Sequence, residues 1–318
     1  MGSFARSLGL VARRSLETES AVILKEGRAN KVPGSLSHAL DGTLNAGHDM
    51  KVFGLGTLAA LAHRPRYARF TASMLGVYEA MERELDAASL HGSDRAPAAL
   101  VWDAFGPALR RAPSLRADLK DVIESQACHA AAHLPSPATQ AYLRAIERAG
   151  QRDLEESGAT MLGHLYCRYF ADLFGGQMLG GPTNAALGLP PQTPRHYRFD
   201  FQLPEFSPLS SSSPPSPPSP PTSISPPEKI YGGGEKVESA TAAVGDRRLF
   251  IEALYRRLNM AGAQLSTAQR TAVVEEALLA FQLNAELYAE EKPLYLDAAR
   301  GALNVVLGTC FGAVRANL

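Results

Sequence analysis

Apolar residues recur every three or four positions along most of the chain, the spacing that places them on one face of an α-helix. A predicted helix from about residue 66 to 88 carries such a stripe, formed by Phe70, Met74, Val77, Met81 and Leu85. A second helix is predicted after the capping-box pattern Ser266–Gln269, and its stripe comprises Val274, Ala277, Leu278, Phe281, Ala285 and Tyr288. No segment alternates apolar and polar residues with comparable strength. The sequence therefore predicts an all-α fold.

One segment departs from this helical pattern. Residues 207–228 are mostly proline and serine, a composition that cannot bury a core. We interpret this segment as an extended spacer, with a PxxP ligand for a partner as the alternative. The predicted organisation is a tail at residues 1–33, the first part of a helical domain at 34–203, a Pro/Ser/Gly-rich disordered insert at 204–242, and the C-terminal helices of the same domain at 243–318.

Composition limits the partners and the compartment. The 32 basic and 32 acidic residues balance, which argues against nucleic acid as a partner, and no window of eighteen apolar residues predicts a transmembrane anchor. Cys128, Cys167 and Cys310 form neither a metal-binding pair nor a disulfide framework, which favours a reducing compartment. The first sixteen residues contain arginine and serine but no acid, which is typical of organelle targeting, with a disordered tail as the alternative. We expect a monomer in a plastid, with the cytoplasm as the alternative location.

A pair of glycines interrupts one strongly helical segment. Gly175 and Gly176 lie inside Tyr166–Gly181, and Met178 and Leu179 continue the pattern after them. Each interior glycine costs about 1 kcal/mol relative to alanine. The pair is explained if the backbone must lie against something flat or bend across it. Close helix packing and a simple helix end are the alternatives.

The residues around this pair carry a denser pattern. The segment HLYCRYFADLFGGQ is similar to the distal-helix motif of heme oxygenases, which reads approximately H-x-Y-x-R-Y-x-x-D-x-x-G-G-Q. The matching residues are His164, Tyr166, Arg168, Tyr169, Asp172, Gly175, Gly176 and Gln177. The resemblance implies a multi-helical bundle that holds heme between a proximal and a distal helix.

The resemblance extends to a histidine near the start of the chain. Leu36, Ser37 and Leu40 resemble the family's first helix, and His48 follows at the spacing of the proximal heme ligand. From the residues alone, His48 would be a solvated or capping histidine at a helix end. The resemblance implies instead that His48 is the iron ligand.

Two short segments in the C-terminal half are also similar to segments of the family. They place Tyr255 and Arg256, and then Phe281 and Asn284, at positions that face heme in heme oxygenases. The resemblance implies that Arg256 pairs with a heme propionate, for which a forked cation is well suited. A solvated helix charge is the alternative for Arg256.

Together these positions imply the activity of the family, the oxidative cleavage of heme to biliverdin, carbon monoxide and ferrous iron. Heme would be both cofactor and substrate, and molecular oxygen the co-substrate. Gly175 and Gly176 would let the backbone approach the porphyrin, and Asp172 would supply protons through ordered water. The implied electron donor is ferredoxin if the N-terminal segment directs the chain to a plastid, and a flavoprotein reductase otherwise.

Some positions differ from the family pattern. Ala171 replaces a glycine, while remaining small enough to line a heme pocket, and Phe174 replaces a smaller residue. Asp41, Asn45 and Glu252 stand where the family has basic residues. These differences leave open a non-catalytic heme-binding sensor or carrier on the same fold. A di-iron carboxylate bundle is disfavoured because no histidine here has glutamate three residues before it.

Overall fold

The computed structural model describes residues 28–47, 50–90, 96–201, 203 and 235–315. A 3₁₀ turn at Ala29–Lys31 precedes α1 (Leu36–Gly47), α2 (Met50–Ala60), α3 (Arg64–Leu90), α4 (Pro97–Leu109), α5 (Ala112–Val122), α6 (Gln126–Ala132) and α7 (Pro137–Glu156). The following segment is broken into α8 (Met161–Leu165), a π-helix (Tyr166–Phe170), α9 (Ala171–Phe174), a 3₁₀ turn (Gly176–Met178) and α10 (Gly180–Leu187). The C-terminal helices are α11 (Glu235–Ala263), α12 (Thr267–Ala289) and α13 (Leu294–Arg315).

The described residues contain helices and no strand, so the predicted all-α class is confirmed. The predicted capping box opens α12, where the Ser266 and Gln269 side chains cap each other's backbone amides. At the first helix the His38 amide donates to Ser35 Oγ at 3.3 Å. One boundary was wrong: α11 begins at Glu235, so the last positions of the disordered insert predicted at 204–242 are helical.

Helix α3 lies at the centre of the bundle and contacts α4, α5, α6 and α7. The predicted stripe faces this core, since Met74, Val77, Met81 and Leu85 are buried. Helix α12 contacts α1, α2, α7 and α8 and keeps an exposed side at Glu275 and Gln282. Of its predicted stripe, Ala277 and Phe281 are buried and the other four residues are half-buried, so the buried side is offset from the prediction and includes Val273, Ala280, Leu283 and Leu287.

Helices α8 and α12 cross at Gly163. A methyl group on Gly163 would lie 2.7 Å from the Ala277 amide nitrogen and 2.8 Å from the Val273 carbonyl oxygen. Both contacts are with backbone atoms, so the two helices approach this closely only because residue 163 is glycine. The crossing sets the later turns of α12 against the segment after α8.

The chain ends its described part with α13, which packs against α2 and α10. Among the helices that the structure describes, none is both long and apolar enough to span a bilayer.

Candidate functional site

The segment that carries the glycine pair changes helix type four times within about twenty residues. The π-helix at Tyr166–Phe170 widens the turn, and short π segments of this kind occur often at functional sites. A methyl group on Gly176 would lie 2.7 Å from Tyr197 Cδ1, so the Tyr197 ring rests directly on the backbone there. The bend therefore has a packing reason at Gly176, which the sequence interpretation offered only as an alternative.

A cavity of about 690 Å³ opens along this bent segment, within the size range of small-molecule and cofactor sites. One wall comes from α1 and α2 and the other from the bent segment, with Tyr197 and α12 closing the sides. The lining residues are Leu44, Phe53, Gly54, Thr57, Leu58, Tyr166, Cys167, Arg168, Phe170, Ala171, Asp172, Phe174, Gly175, Gly176, Met178, Leu179, Tyr197, Phe281, Asn284 and Tyr288. Most of these side chains are apolar, so the cavity suits a flat, largely apolar ligand.

A buried polar network lies on the wall formed by the bent segment. Asp172 accepts a hydrogen bond from the Tyr78 hydroxyl, and its Oδ1 lies 3.5 Å from Arg168 Nη2. Arg168 Nη1 donates to Asn284 Oδ1 at 3.1 Å, and Nη2 donates to the Tyr78 hydroxyl at 3.4 Å. Since Arg168 and Asp172 are 4% and 5% exposed, each charge offsets the desolvation cost of the other.

Tyr78 is the member of this network that the sequence analysis missed. Burial raises the pKa of its hydroxyl well above the usual range, and the Asp172 carboxylate raises it further against the opposing effect of Arg168. Tyr78 therefore remains protonated and acts as the hydrogen-bond donor to Asp172. Its position beside Val77 on the stripe of α3 indicates burial, but nothing in the sequence indicates its partner 94 residues away.

A second polar cluster surrounds Asp41. The hydroxyls of Tyr166 and Tyr255 donate to Asp41 Oδ1 at 2.7 and 3.0 Å, and Asn30 Nδ2 donates to Oδ2 at 2.6 Å. Burial and the nearby carboxylate raise the pKa of both tyrosines. The Tyr166 ring thus lines the cavity while its hydroxyl points to Asp41.

The structure brings some of the predicted residues to the cavity and leaves others away from it. Besides Asp172 and the glycine pair, the cavity is lined by Tyr166, Arg168, Ala171, Phe281 and Asn284. Tyr255 is not among the lining residues, although its ring packs on Phe170 with the centroids 4.7 Å apart.

Arg256 does not line the cavity either. Its Nε lies 3.8 Å from Glu252 Oε1, one helical turn earlier on α11. Adjacent helix residues point about 100° apart, so Arg256 cannot share the direction of Tyr255. His48 lies outside the described residues, and its assignment as ligand stays a prediction.

Phe174 lies at the edge of the cavity. Its side chain is 48% exposed and its ring is 6.1 Å from that of Phe170, centroid to centroid. Arg247 of α11 donates to the carbonyl oxygens of Leu173 and Phe174 and so satisfies acceptors where α9 ends. The bulky ring therefore forms part of the rim instead of filling the interior.

Fold and site together define an all-helical protein with a cofactor-sized apolar cavity, bounded on one side by exposed backbone and a buried carboxylate. Residues 48–202 match the family model described as heme oxygenase. A heme oxygenase from Guillardia theta is 30% identical over 143 residues, which cover 42% of this chain and about half (52%) of that protein. The matched segment, just under half of the chain, is therefore similar to the heme oxygenase family, and the chain spans about half the length of the Guillardia relative.

Solved structures show the same fold. Heme oxygenase 2 from Chlamydomonas reinhardtii, without heme, superimposes with a TM-score of 0.58 at 18% identity over 80% of this chain and 96% of that one. Heme oxygenase-2 from Synechocystis, in complex with heme and NO, gives 0.55 at 21% identity over 85% and 92%. Heme oxygenase from Leptospira interrogans gives 0.53 at 20% identity over 81% and 100%.

Proposed function

We propose that this protein binds heme in the cavity and cleaves it oxidatively to biliverdin, carbon monoxide and ferrous iron. The observation that carries the proposal is the wall of the cavity, where the backbone of Gly175 and Gly176 lies beside the buried Asp172 carboxylate. The family match and the heme-bound Synechocystis relative support heme as the ligand.

The cavity residues fit heme. Phe53 and Leu58 on α2 present apolar surface on one side, and Gly175 presents bare backbone on the other. His48, two residues before α2 begins, would supply the iron ligand on the α2 side. A buried donor, Arg168 Nε, has no hydrogen-bond partner among the described residues, as expected beside a site that takes up water or ligand.

When bound, heme supplies the iron at which molecular oxygen is reduced. The protein's own residues provide orientation, exclusion of water and a proton path. The backbone of Gly175 and Gly176 would let the plane of heme lie close to the bent segment. Asp172 Oδ2 accepts the hydrogen bond from Tyr78, and Oδ1, which also faces Arg168, would accept a hydrogen bond from water in the cavity. That water, held by Asp172, would supply the proton.

The test is a heme titration followed by addition of reductant and oxygen. Wild type is expected to bind one heme per chain and then lose the heme absorption band as a bilin band appears. Asp172→Asn keeps the size of the side chain but cannot take up a proton, so we expect heme binding with turnover at least tenfold slower. Asp200→Asn, an exposed carboxylate, is the matched control and should behave as wild type.

Two outcomes would contradict the proposal. A stable heme band without bilin in wild type would identify a non-catalytic heme-binding protein, and failure to bind heme would refute the site. His48→Ala tests the proximal ligand, because an unchanged ferric spectrum in that variant would exclude His48 as the iron ligand.

We also infer a plastid location and ferredoxin as the electron donor, on the basis of the N-terminal composition alone. A fusion of residues 1–33 to a fluorescent protein tests the location. Turnover with reduced ferredoxin, compared with turnover by a flavoprotein reductase, tests the donor. Cytoplasmic fluorescence together with faster turnover by the flavoprotein would overturn both inferences.

A further inference from the structure

The C-terminal helix α13 lies outside the segment that matches the family and also outside the motifs that resemble it. It nevertheless packs against α2, which lines one wall of the cavity, and against α10, which directly follows the residues of the other wall. Helix α2 contributes Phe53, Gly54, Thr57 and Leu58 to one wall, and α10 continues directly from Met178 and Leu179 of the other.

The contact with α2 is made by backbone and by one side chain. A methyl group on Gly301 would overlap the carbonyl oxygen of Leu58, so the two helices touch backbone to backbone there. One turn later, Asn304 Nδ2 donates to the carbonyl oxygens of Leu61 and Ala62 at 2.9 and 3.0 Å. These carbonyls follow the end of α2, where no intrahelical donor remains for them.

The contact of α13 with α10 is also made backbone to backbone at a glycine. A methyl group on Gly308 would overlap the carbonyl oxygen of Ala185, in the last turn of α10. Gly301, Asn304 and Gly308 are three and then four residues apart, so they lie on one face of α13. The seven steps along the helix from Gly301 to Gly308 span about 10 Å. One continuous helix therefore ties α2, which lines one wall, to α10, the helix that follows the other wall.

We propose that α13 is a clasp that sets the width of the cavity and slows the release of its ligand. The ligand named here, heme, rests on the proposed function; the clasp itself rests on the contacts of Gly301, Asn304 and Gly308. Loosening the α10 contact lets the bent segment move away from α2. Dissociation then accelerates while the residues that contact the ligand are unchanged.

The test uses the full chain with Gly308→Val, Gly308→Ala and Asn304→Ala. Leu307→Ala is the matched control, because Leu307 neighbours Gly308 on α13 and is 44% exposed. Heme loss is followed by transfer to excess apomyoglobin, and hydrogen exchange of the heme-free protein is followed by mass spectrometry. Gly308→Val should lose heme at least tenfold faster, and exchange should rise in residues 50–60 and 180–187 but not in α3 or α7. Gly308→Ala and Asn304→Ala should show smaller changes in the same direction.

The two readouts separate the clasp from the proposed function. If wild type binds no heme, the proposed function fails, while exchange confined to α2 and α10 still supports the clasp. If Gly308→Val loses heme at the wild-type rate, or if exchange rises equally in α3 and α7, the clasp is refuted. If Gly308→Val does not fold, Gly308→Ala and Asn304→Ala decide by the same criteria, and unchanged heme loss and exchange in both would overturn the proposal.

Discussion

The crossing of α8 and α12 at Gly163 gives a prediction whose magnitude follows from the structure. A methyl group at residue 163 would meet three backbone atoms, of Ala277, Val273 and Glu276, at 2.7 to 3.1 Å. Backbone cannot rotate away as a side chain can, so the helices must separate by several tenths of an ångström. Overpacking of this kind costs about 1–3 kcal/mol, and we expect the upper half of that range.

Alanine also favours helix over glycine by about 1 kcal/mol, which opposes the overpacking. The overpacking is larger, so Gly163→Ala should lower the free energy of unfolding by about 1–2 kcal/mol. Gly76→Ala is the matched control, since its new methyl group would meet only Leu143 methyl groups at 3.8 and 3.9 Å, within the interior of α3. Because alanine favours the helix and its methyl group meets no clash at residue 76, Gly76→Ala should be as stable as wild type or up to about 1 kcal/mol more stable.

Urea denaturation measures the free energy of unfolding of both variants, and the comparison is valid when their m-values equal that of wild type. Gly163→Ala should also weaken heme binding, because moving α12 lengthens the 3.1 Å hydrogen bond between Arg168 and Asn284. If Gly163→Ala is as stable as wild type, the close crossing is not a constraint. If Gly76→Ala is destabilised equally, the cost arises from the loss of glycine itself and the reasoning from contacts fails.

Three further outcomes are expected. Tyr78→Phe removes the hydroxyl that donates to the buried Asp172 carboxylate. We expect the variant to lose about 1–3 kcal/mol of unfolding free energy in urea titrations and to form bilin more slowly. Unchanged turnover would show that Tyr78 is not part of the proton path. Gly176→Ala should weaken heme binding by displacing the Tyr197 ring, and Tyr197→Leu in the same chain should restore it, since the clash is with that ring. The pKa of Asp118 is held below its usual range because hydrogen bonds from its histidine and arginine partners outweigh the effect of its burial. The ionised Asp118 carboxylate therefore stabilises the fold above the ordinary aspartate pKa of about 3.9, and this stabilisation is lost as the pH falls below that value. Asp118→Asn should therefore reduce the loss of stability between pH 5 and pH 3, and an unchanged acid dependence would contradict this assignment.

The sequence predicted those parts of the fold whose cause is local. The stripe of α3 was correct because one side of this helix faces a core, and the capping box at Ser266 was correct because both partners lie within three residues. The stripe of α12 was only partly correct, because Ala277 and Phe281 are buried while its other four residues are half-buried, and Val273 and Leu287 are buried instead. Periodicity identifies the helix, whereas the neighbouring helices decide which side of it is buried.

In the candidate site, too, the sequence predicted the residues that are close together in the chain and missed those that tertiary packing brings there. The motif placed Asp172 and the glycine pair correctly on one segment, because their spacing is local to it. It could not indicate Tyr78 or Tyr197, since each meets the segment through tertiary packing.

The cluster at Asp41 explains why Arg256 does not line the cavity. An acid at this position, in place of a basic residue, gives the Tyr166 and Tyr255 hydroxyls an acceptor, and both donate to it. Tyr255 is thereby fixed against Phe170, which leaves the neighbouring Arg256 directed toward Glu252. Among the described residues that line the cavity, Arg168 is the sole cation, and it already faces Asp172. Apart from the proposed ligand His48, heme in this cavity would therefore be held by apolar contact and by the separation of its two walls, which is the separation that the proposed clasp α13 would maintain.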